Sequence, residues 1–151
     1  MIDRNTILIS LAPYFKEDPR YYLLINDSGF GKHEEIKRMF PPRVFNCGIM
    51  EQATVGIASG MAQSGLIPII YSIASFLVYR SLEQIRIDIV LRKQNVKLIG
   101  NGSGDYFKFL DECHWTRDHD VKLMNLIGMP VYKAEDFKSW IESKESGYLI
   151  C

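Results

Sequence analysis

Short apolar runs alternate with helix-like segments along the chain, and this alternation restricts its fold more than any other feature. The segments between the runs, at residues 4–16, 33–40, 50–64, 76–93, 118–128 and 135–146, predict helices, and residues 103–117 predict a loop. The pattern therefore predicts one α/β fold of three layers, a mostly parallel sheet with helices on both faces. The predicted strands are "YYLLIND", "RVFNCG", "LIPIIYSI", "NVKLIGNG", "MPVYKA" and "GYLIC".

Length and charge restrict the number of domains and the kinds of partner that this chain can have. A chain of 151 residues is the size of one ordinary domain, and no repeat or linker divides it, so we expect a single domain over residues 1–151. The 18 basic and 18 acidic residues cancel, which leaves no bulk attraction for nucleic acid or for an anionic membrane. Binding must then come from a local site.

The cysteines and the absence of a long apolar run bear on location. Cys47, Cys113 and Cys151 are an odd number without CxxC or zinc-type spacing, so neither a disulfide framework nor a metal cage is indicated. No apolar run approaches the ~18 residues of a membrane span, and the N-terminus does not resemble an export signal. We expect a reducing, cytoplasmic location and no membrane insertion.

One acid stands out in "FNCGIMEQATVGIASGMAQSG", residues 45–65. Glu51 is the only charged side chain there, and an ionised carboxylate is costly to bury without a partner. It is either a helix N-terminal acid, which the helix dipole favours by about 0.3–1 kcal/mol, or a group that holds a ligand. Asp27, Glu51 and Asn101 all lie at the carboxyl ends of predicted strands, and parallel sheets bind ligands at that edge.

Residues 43–88 resemble the pyrimidine-binding domain of transketolases and deoxyxylulose-phosphate synthases. The likeness rests first on "GIMEQ", which has the family's form GI-x-EQ or GI-x-EH. A helix of small residues and a strand follow, and then "ASF" stands in the place of the family's T/S-F. The resemblance implies thiamine diphosphate as the cofactor. It also implies that Glu51 meets a ring nitrogen of the aminopyrimidine and favours the imino tautomer, which then deprotonates the thiazolium carbon.

The same resemblance assigns further cofactor contacts. Phe76 falls where the family stacks an aromatic ring on the aminopyrimidine, and Tyr79 falls where a second aromatic side chain helps to form that pocket. Asp27 ends the predicted first strand in "LLINDSG", which resembles the strand end from which the family contacts the cofactor. The plainer alternatives are a core position for Phe76 and an Asx turn for Asp27.

A histidine in the predicted loop is a candidate catalytic residue. "DECHWTRDHDVKLM" resembles the family's "GPTHHxxxDxALM" and places His114 where a histidine contacts substrate oxygens. His119 is an alternative, and a loop histidine can simply be exposed.

Two further residues bear on the substrate. Arg80 either pairs with a sugar phosphate or lies on a solvated helix face. Asn101 stands where transketolases often carry a histidine, so we expect substrates other than the standard pentose phosphates.

The family's other half-site has no counterpart in the sequence. Nothing resembles the GDG…N motif that holds magnesium and the diphosphate. The resemblance therefore implies a separate diphosphate-binding subunit that supplies the magnesium, a hetero-oligomer such as a heterotetramer, and no activity without that partner. The function it implies is transfer of a two-carbon ketol unit between sugars or sugar phosphates. Alternatives are a synthase, decarboxylase or dehydrogenase component and a non-catalytic domain that keeps the fold.

Overall fold

In the part of the chain that the structure describes, six strands form one sheet, and every pair of neighbouring strands is parallel. The computed structural model describes residues 6–27 and 33–151. The strand order is β2-β1-β3-β4-β6-β5, which confirms the predicted α/β fold with a parallel sheet. The strands are β1 (Tyr21–Ile25), β2 (Val44–Asn46), β3 (Ile67–Ile73), β4 (Lys97–Asn101), β5 (Val131–Lys133) and β6 (Gly147–Ile150).

Helices connect successive strands, as parallel pairing requires. They are α1 (Ala12–Glu17), α2 (Glu34–Met39), α3 (Glu51–Gln63), α4 (Ala74–Gln84), α5 (His119–Leu126) and α6 (Phe137–Glu142). Between β4 and α5 the chain has neither helix nor strand, in agreement with the predicted loop. No helix in the described part of the chain is long and apolar enough to cross a bilayer.

Several predicted elements differ in detail from the structure. The first helix is a 3₁₀ turn, Ile9–Leu11, followed by the short α1, because Pro13 occupies the start of a new helical segment. Strand β2 spans three residues, fewer than the predicted "RVFNCG". The helix predicted over residues 76–93 begins two residues earlier and changes to a π-helical turn at Ile85–Val90, where the Ser59 hydroxyl donates to the Asp88 carbonyl at 3.0 Å.

Two apolar layers cover the two faces of the sheet. On one face α1, α2 and α6 contribute Phe15, Ile36 and Trp140. On the other face α3, α4 and α5 pack through side chains that include Val55, Leu77 and Met124. All of these side chains are buried, so the sheet is packed on both faces. The helices α3 and α4, which carry the candidate site, belong to the second layer.

Gly100 lies under a buried aromatic ring. A Cβ atom at this position of β4 would overlap the ring and hydroxyl of Tyr148, which is fully buried on β6. The Tyr148 hydroxyl donates to Asp120 Oδ2 at 2.7 Å, and burial together with that carboxylate raises the pKa of Tyr148 well above its usual value. Glycine at 100 therefore makes room for a side chain that joins β6 to α5.

We expect Gly100→Ala to destabilise the protein, because the added methyl group must displace Tyr148 from its bond with Asp120. Overpacking of this kind costs about 1–3 kcal/mol in the free energy of unfolding. Gly56→Ala is the control, since a Cβ on that α3 glycine meets no atom within 4 Å and should stabilise the helix by about 0.5–1 kcal/mol. Urea unfolding measures both, and a Gly100→Ala protein as stable as the parent would contradict the packing described.

Candidate functional site

The turn between β2 and α3 fixes the position of Glu51. The Asn46 side chain accepts a hydrogen bond from the Gly48 amide at 2.9 Å, and Gly48 has φ +70°, a conformation that favours glycine. From the end of β1, the Asn26 amide group donates to Gly48 O at 3.1 Å and to Thr54 Oγ1 at 2.8 Å. These bonds tie the first turn of α3 to β1, so Glu51 is held at the carboxyl edge of the sheet.

The Glu51 carboxylate is buried, and its partner is an arginine. Glu51 is 3% exposed, and Arg80 Nη1 on α4 donates to both of its oxygens at 2.9 Å. The arginine side chain itself is 43% exposed. A buried carboxylate needs a compensating positive charge, and the guanidinium supplies it while reaching solvent.

Phe76 lies beside this ion pair. The Arg80 guanidinium carbon is 4.0 Å from the centroid of the Phe76 ring, because residues four apart share one face of α4. The imidazole of His114 packs against Phe76 at 4.9 Å between centroids, with the rings inclined by 63°. The structure thus brings three of the predicted residues, Glu51, Phe76 and His114, into one connected group through Arg80.

A cavity of about 550 Å³ opens next to the ion pair. Its size lies in the range of small-molecule sites. Its lining combines apolar side chains with the Glu51 carboxylate, the Gln52 amide and the Arg80 guanidinium. The lining residues are Ile49, Met50, Glu51, Gln52, Ala53 and Arg80.

A second contact joins Tyr79 on α4 to His119 on α5. Tyr79 Oη lies 2.9 Å from His119 Nδ1, at the start of α5. Partial burial, with a contribution from the Asp120 carboxylate, raises the pKa of Tyr79, so the phenol is protonated at neutral pH. His119 is therefore joined to Tyr79, whereas His114 is the histidine that contacts Phe76.

Asp27 lies apart from this group. It is exposed immediately after β1, with φ +31°, and among the described residues it makes no hydrogen bond or ion pair with Glu51, Phe76, Tyr79 or His114. Residues 28–32, which follow it, lie outside the described residues. A role for Asp27 in cofactor binding stays a prediction.

The loop that carries His114 is attached to the rest of the protein at two points, Cys113 and Ser103. Ser75 Oγ, at the start of α4, donates to the Cys113 carbonyl at 2.7 Å. At the second point, Ser103 Oγ donates to the fully buried Asp120 at 2.5 Å. Asn101, which precedes the loop, is buried at 1% exposure and is not among the residues that line the cavity beside Glu51.

Three side chains at the tip of this loop converge on one another. The Cys113 thiol donates to Asp111 Oδ1 at 2.7 Å, and His114 Nδ1 lies 3.1 Å from the sulfur and 3.2 Å from the same carboxylate oxygen. Hydrogen bonds from Cys113 and His114 lower the pKa of Asp111 to about 2, while the carboxylate raises the pKa of the Cys113 thiol.

Arg80 is the member of this group whose role the sequence leaves open. The sequence offers a solvated helix face or a sugar-phosphate contact, and in the structure Arg80, with its side chain 43% exposed, pairs with Glu51. The available signal was its spacing of four residues from Phe76, which places both side chains on one helix face. The contact with Glu51 depends on how α3 and α4 pack, and no spacing along the chain reports that.

Comparison with known proteins identifies the family. The family model "Transketolase, pyrimidine binding domain" matches residues 4–106. The chain is 38% identical over 89 residues to an apulose-4-phosphate transketolase subunit of Actinobacillus succinogenes, and the match covers 59% of this chain and 28% of that protein. It is 29% identical over 137 residues to a 6-deoxy-6-sulfo-D-fructose transketolase subunit of a Clostridium species, covering 88% of this chain and 42% of that one.

Among solved structures, the chain is similar to a split-gene transketolase described as an inactive beta4 tetramer. The TM-score is 0.77 at 27% sequence identity, and the match covers 97% of this chain and 49% of the other. This chain thus spans less than half the length of the curated relatives and of the solved structure that it matches.

The contact between Glu51 and Arg80 should contribute measurably to stability. In a double-mutant cycle with Glu51→Gln and Arg80→Met, we expect a coupling of about 1–3 kcal/mol, because the hydrogen bonds involve a charged and buried acceptor. The control cycle uses Asp118→Asn and Lys122→Met, a pair 2.8 Å apart with both side chains more than half exposed, for which we expect a much smaller coupling because solvent screens the charges. Equal couplings in the two cycles would show that Arg80 does not hold Glu51.

Proposed function

Because this chain belongs to the family of transketolase pyrimidine-binding domains, we propose that residues 1–151 act as one such domain in a thiamine-diphosphate-dependent, transketolase-like enzyme. In this proposal the chain is the pyrimidine-binding subunit, and a separate subunit binds the diphosphate. The observation that carries it is the buried Glu51 at the start of α3, beside a cavity of about 550 Å³ and joined through Arg80 to an aromatic ring.

The residues present fit the pyrimidine half of the cofactor. Glu51 provides a buried carboxylate for a ring nitrogen, and Ile49 and Met50 provide apolar surface at the same cavity. Phe76 and Tyr79 are the proposed aromatic contacts, and Asp27 is proposed as a further cofactor contact from the end of β1. When bound, thiamine diphosphate supplies a thiazolium carbon that takes up and releases the two-carbon ketol unit.

Glu51 must change partners for this role. Its two oxygens accept from Arg80 in the free chain, and the same guanidinium covers the Phe76 ring. For Glu51 to share a proton with a ring nitrogen, Arg80 must move off the carboxylate or share it. The arginine is 43% exposed, so its side chain has room to turn toward solvent. We assign Arg80 the role of holding Glu51 in position until the ring arrives.

His114 is the proposed catalytic histidine on the substrate side. Its ring contacts Phe76 and also lies 6.0 Å from the ring of Phe107, so apolar neighbours orient it. Histidine exchanges protons near neutral pH, which suits the hydroxyl and carbonyl oxygens of a sugar. His119 is held by Tyr79 and is the less suitable of the two candidates.

A partner subunit is needed for a complete site. The sequence offers no GDG…N motif, so we propose that the partner holds magnesium and the diphosphate and that the active form is a hetero-oligomer such as a heterotetramer. Exposed apolar side chains support an interface there: at the cavity Ile49 is 70% exposed and Met50 50%, and on α3 Ile57 is 49% exposed. The names of the relatives as transketolase subunits, and of the split-gene structure, support the same arrangement.

The substrates proposed are sugars or sugar phosphates of carbohydrate metabolism. The curated relatives are named for apulose 4-phosphate and for 6-deoxy-6-sulfo-D-fructose, neither of which is a standard pentose phosphate. This supports the expectation of a modified donor or acceptor.

The three cysteines are free thiols, which supports the proposed reducing location in the cytoplasm.

Reconstitution tests the proposal. The chain is combined with a candidate subunit that carries the GDG…N motif, with magnesium and thiamine diphosphate, and offered a panel of ketose donors and aldehyde acceptors. We expect ketol transfer by the mixture and none by either chain alone. A pyruvate-dependent activity in place of ketol transfer would instead identify a synthase, and full activity of this chain alone would refute the half-site.

Replacing Glu51 should slow deprotonation of the cofactor without preventing assembly. Glu51→Gln keeps the shape of the side chain but cannot share a proton with the ring, so exchange of the thiazolium proton in the reconstituted complex should slow by about 10²–10⁴. Hydrogen–deuterium exchange followed by NMR measures the rate, and size-exclusion chromatography checks assembly. Glu83→Gln, an exposed acid on α4, is the matched control and should exchange at the parent rate. Unchanged exchange in Glu51→Gln would remove Glu51 from the mechanism.

A further inference from the structure

Asp111, Cys113 and His114 place three different metal-ligating atoms at one point of the loop between β4 and α5. A carboxylate oxygen, a thiol sulfur and an imidazole nitrogen lie 2.7, 3.1 and 3.2 Å from one another. Asp111 and Cys113 are exposed and His114 is half-buried, so the group is open to ions from solvent. It does not coincide with Glu51, and the transketolase-like function assigns no role to Asp111 or Cys113.

We propose that these three side chains form a binding site for a borderline divalent transition metal, with Zn²⁺ as the best match. Cysteine, histidine and aspartate are the ligands that Zn²⁺ takes in proteins, whereas Mg²⁺ prefers a shell of oxygens. The sequence contained the signal in the contiguous letters "DECH", although the absence of CxxC spacing argued against a metal cage. The structure adds that the three side chains point at one another.

The geometry needs only a small expansion to accept the ion. With Zn–N and Zn–O bonds near 2.0–2.2 Å and a Zn–S bond near 2.3 Å, tetrahedral ligand atoms lie about 3.3–3.6 Å apart. The present separations are shorter, because hydrogen bonds join the three groups directly. All three residues are on an irregular loop, so their side chains can move outward by the few tenths of an ångström to one ångström required.

Binding exchanges a proton for the metal. Asp111 is already ionised at neutral pH, since its pKa is lowered to about 2. The Cys113 thiol is protonated, so the Zn–S bond forms as the S–H bond breaks and the proton passes to solvent. His114 binds through the lone pair of Nδ1, which leaves its remaining ring nitrogen carrying hydrogen. The three protein ligands leave one position of a tetrahedral ion for water.

The ion would also change what His114 can do. With Nδ1 bound to the metal and the other ring nitrogen carrying hydrogen, the imidazole can donate a hydrogen bond but cannot accept a proton. This consequence, unlike the binding, rests on the proposed function, in which His114 exchanges protons with the substrate. The metal would then inhibit ketol transfer reversibly, and a chelator would restore it.

The test uses the chain alone, so its result does not depend on whether the transketolase-like activity is found. Co²⁺ is titrated as a spectroscopic substitute, followed by Zn²⁺ in competition and by isothermal titration of Zn²⁺. We expect one ion per chain, a near-ultraviolet charge-transfer band that reports a thiolate ligand, displacement by Zn²⁺ and none by Mg²⁺. Zn²⁺ should also protect Cys113, but not Cys47 or Cys151, from alkylation as read by mass spectrometry.

Matched variants assign the ligands. Cys113→Ser should abolish the thiolate band and weaken Zn²⁺ binding at least about tenfold, since even the loss of supporting contacts around a metal costs 10–100-fold. His114→Gln should weaken binding to a similar degree. Cys151→Ser leaves the three ligands in place and should bind as the parent does, and circular dichroism checks the fold of each variant. Parent-like Zn²⁺ binding by Cys113→Ser, or a thiolate band that disappears in Cys151→Ser, would overturn the proposal.

Discussion

The parallel direction of all six strands is the constraint on which the candidate site depends. Because every strand ends at the same edge, the turn after β2, the end of β1 and the start of α4 are brought together there. Asn26 uses this proximity to hold the first turn of α3, and Ser75 uses it to hold the loop that carries His114. An antiparallel pairing of β1 or β3 would separate these groups to opposite edges.

The ion pair of Glu51 with Arg80 gives the site its chemical character. Burial of a carboxylate is unfavourable on its own, and the guanidinium makes it possible while remaining in contact with solvent. A pair with one buried and one half-exposed member can exchange partners more readily than a pair that is buried on both sides, because the arginine regains water when it leaves. The same arrangement that stabilises the free chain therefore leaves Glu51 available to a ligand that enters the cavity.

Much of the fold and the positions of several site residues could be predicted from the sequence. Apolar runs of strand length, helical periodicity between them and the small residues after Glu51 determined the sheet and its helices, since these patterns reflect local burial. The π-helical turn at Ile85–Val90 was not predictable, because it is supported by Ser59 on another helix. Arg80 reaches Glu51 because α3 and α4 pack together, and Cys113 reaches Asp111 and His114 because of how one loop folds. Neither helix packing nor loop folding leaves a periodic pattern in the sequence.

The central claim is that Glu51 and Phe76 receive the aminopyrimidine of thiamine diphosphate, with Arg80 giving up the carboxylate. The most direct measurement is a crystal structure of the chain in complex with its diphosphate-binding partner, magnesium and the cofactor. The account predicts a Glu51 oxygen within hydrogen-bond distance of a pyrimidine ring nitrogen, the Phe76 ring against the heterocycle and the Arg80 guanidinium displaced from its present position 4.0 Å from the Phe76 centroid. A cofactor ring bound elsewhere, with the Glu51–Arg80 pair unchanged, would contradict it.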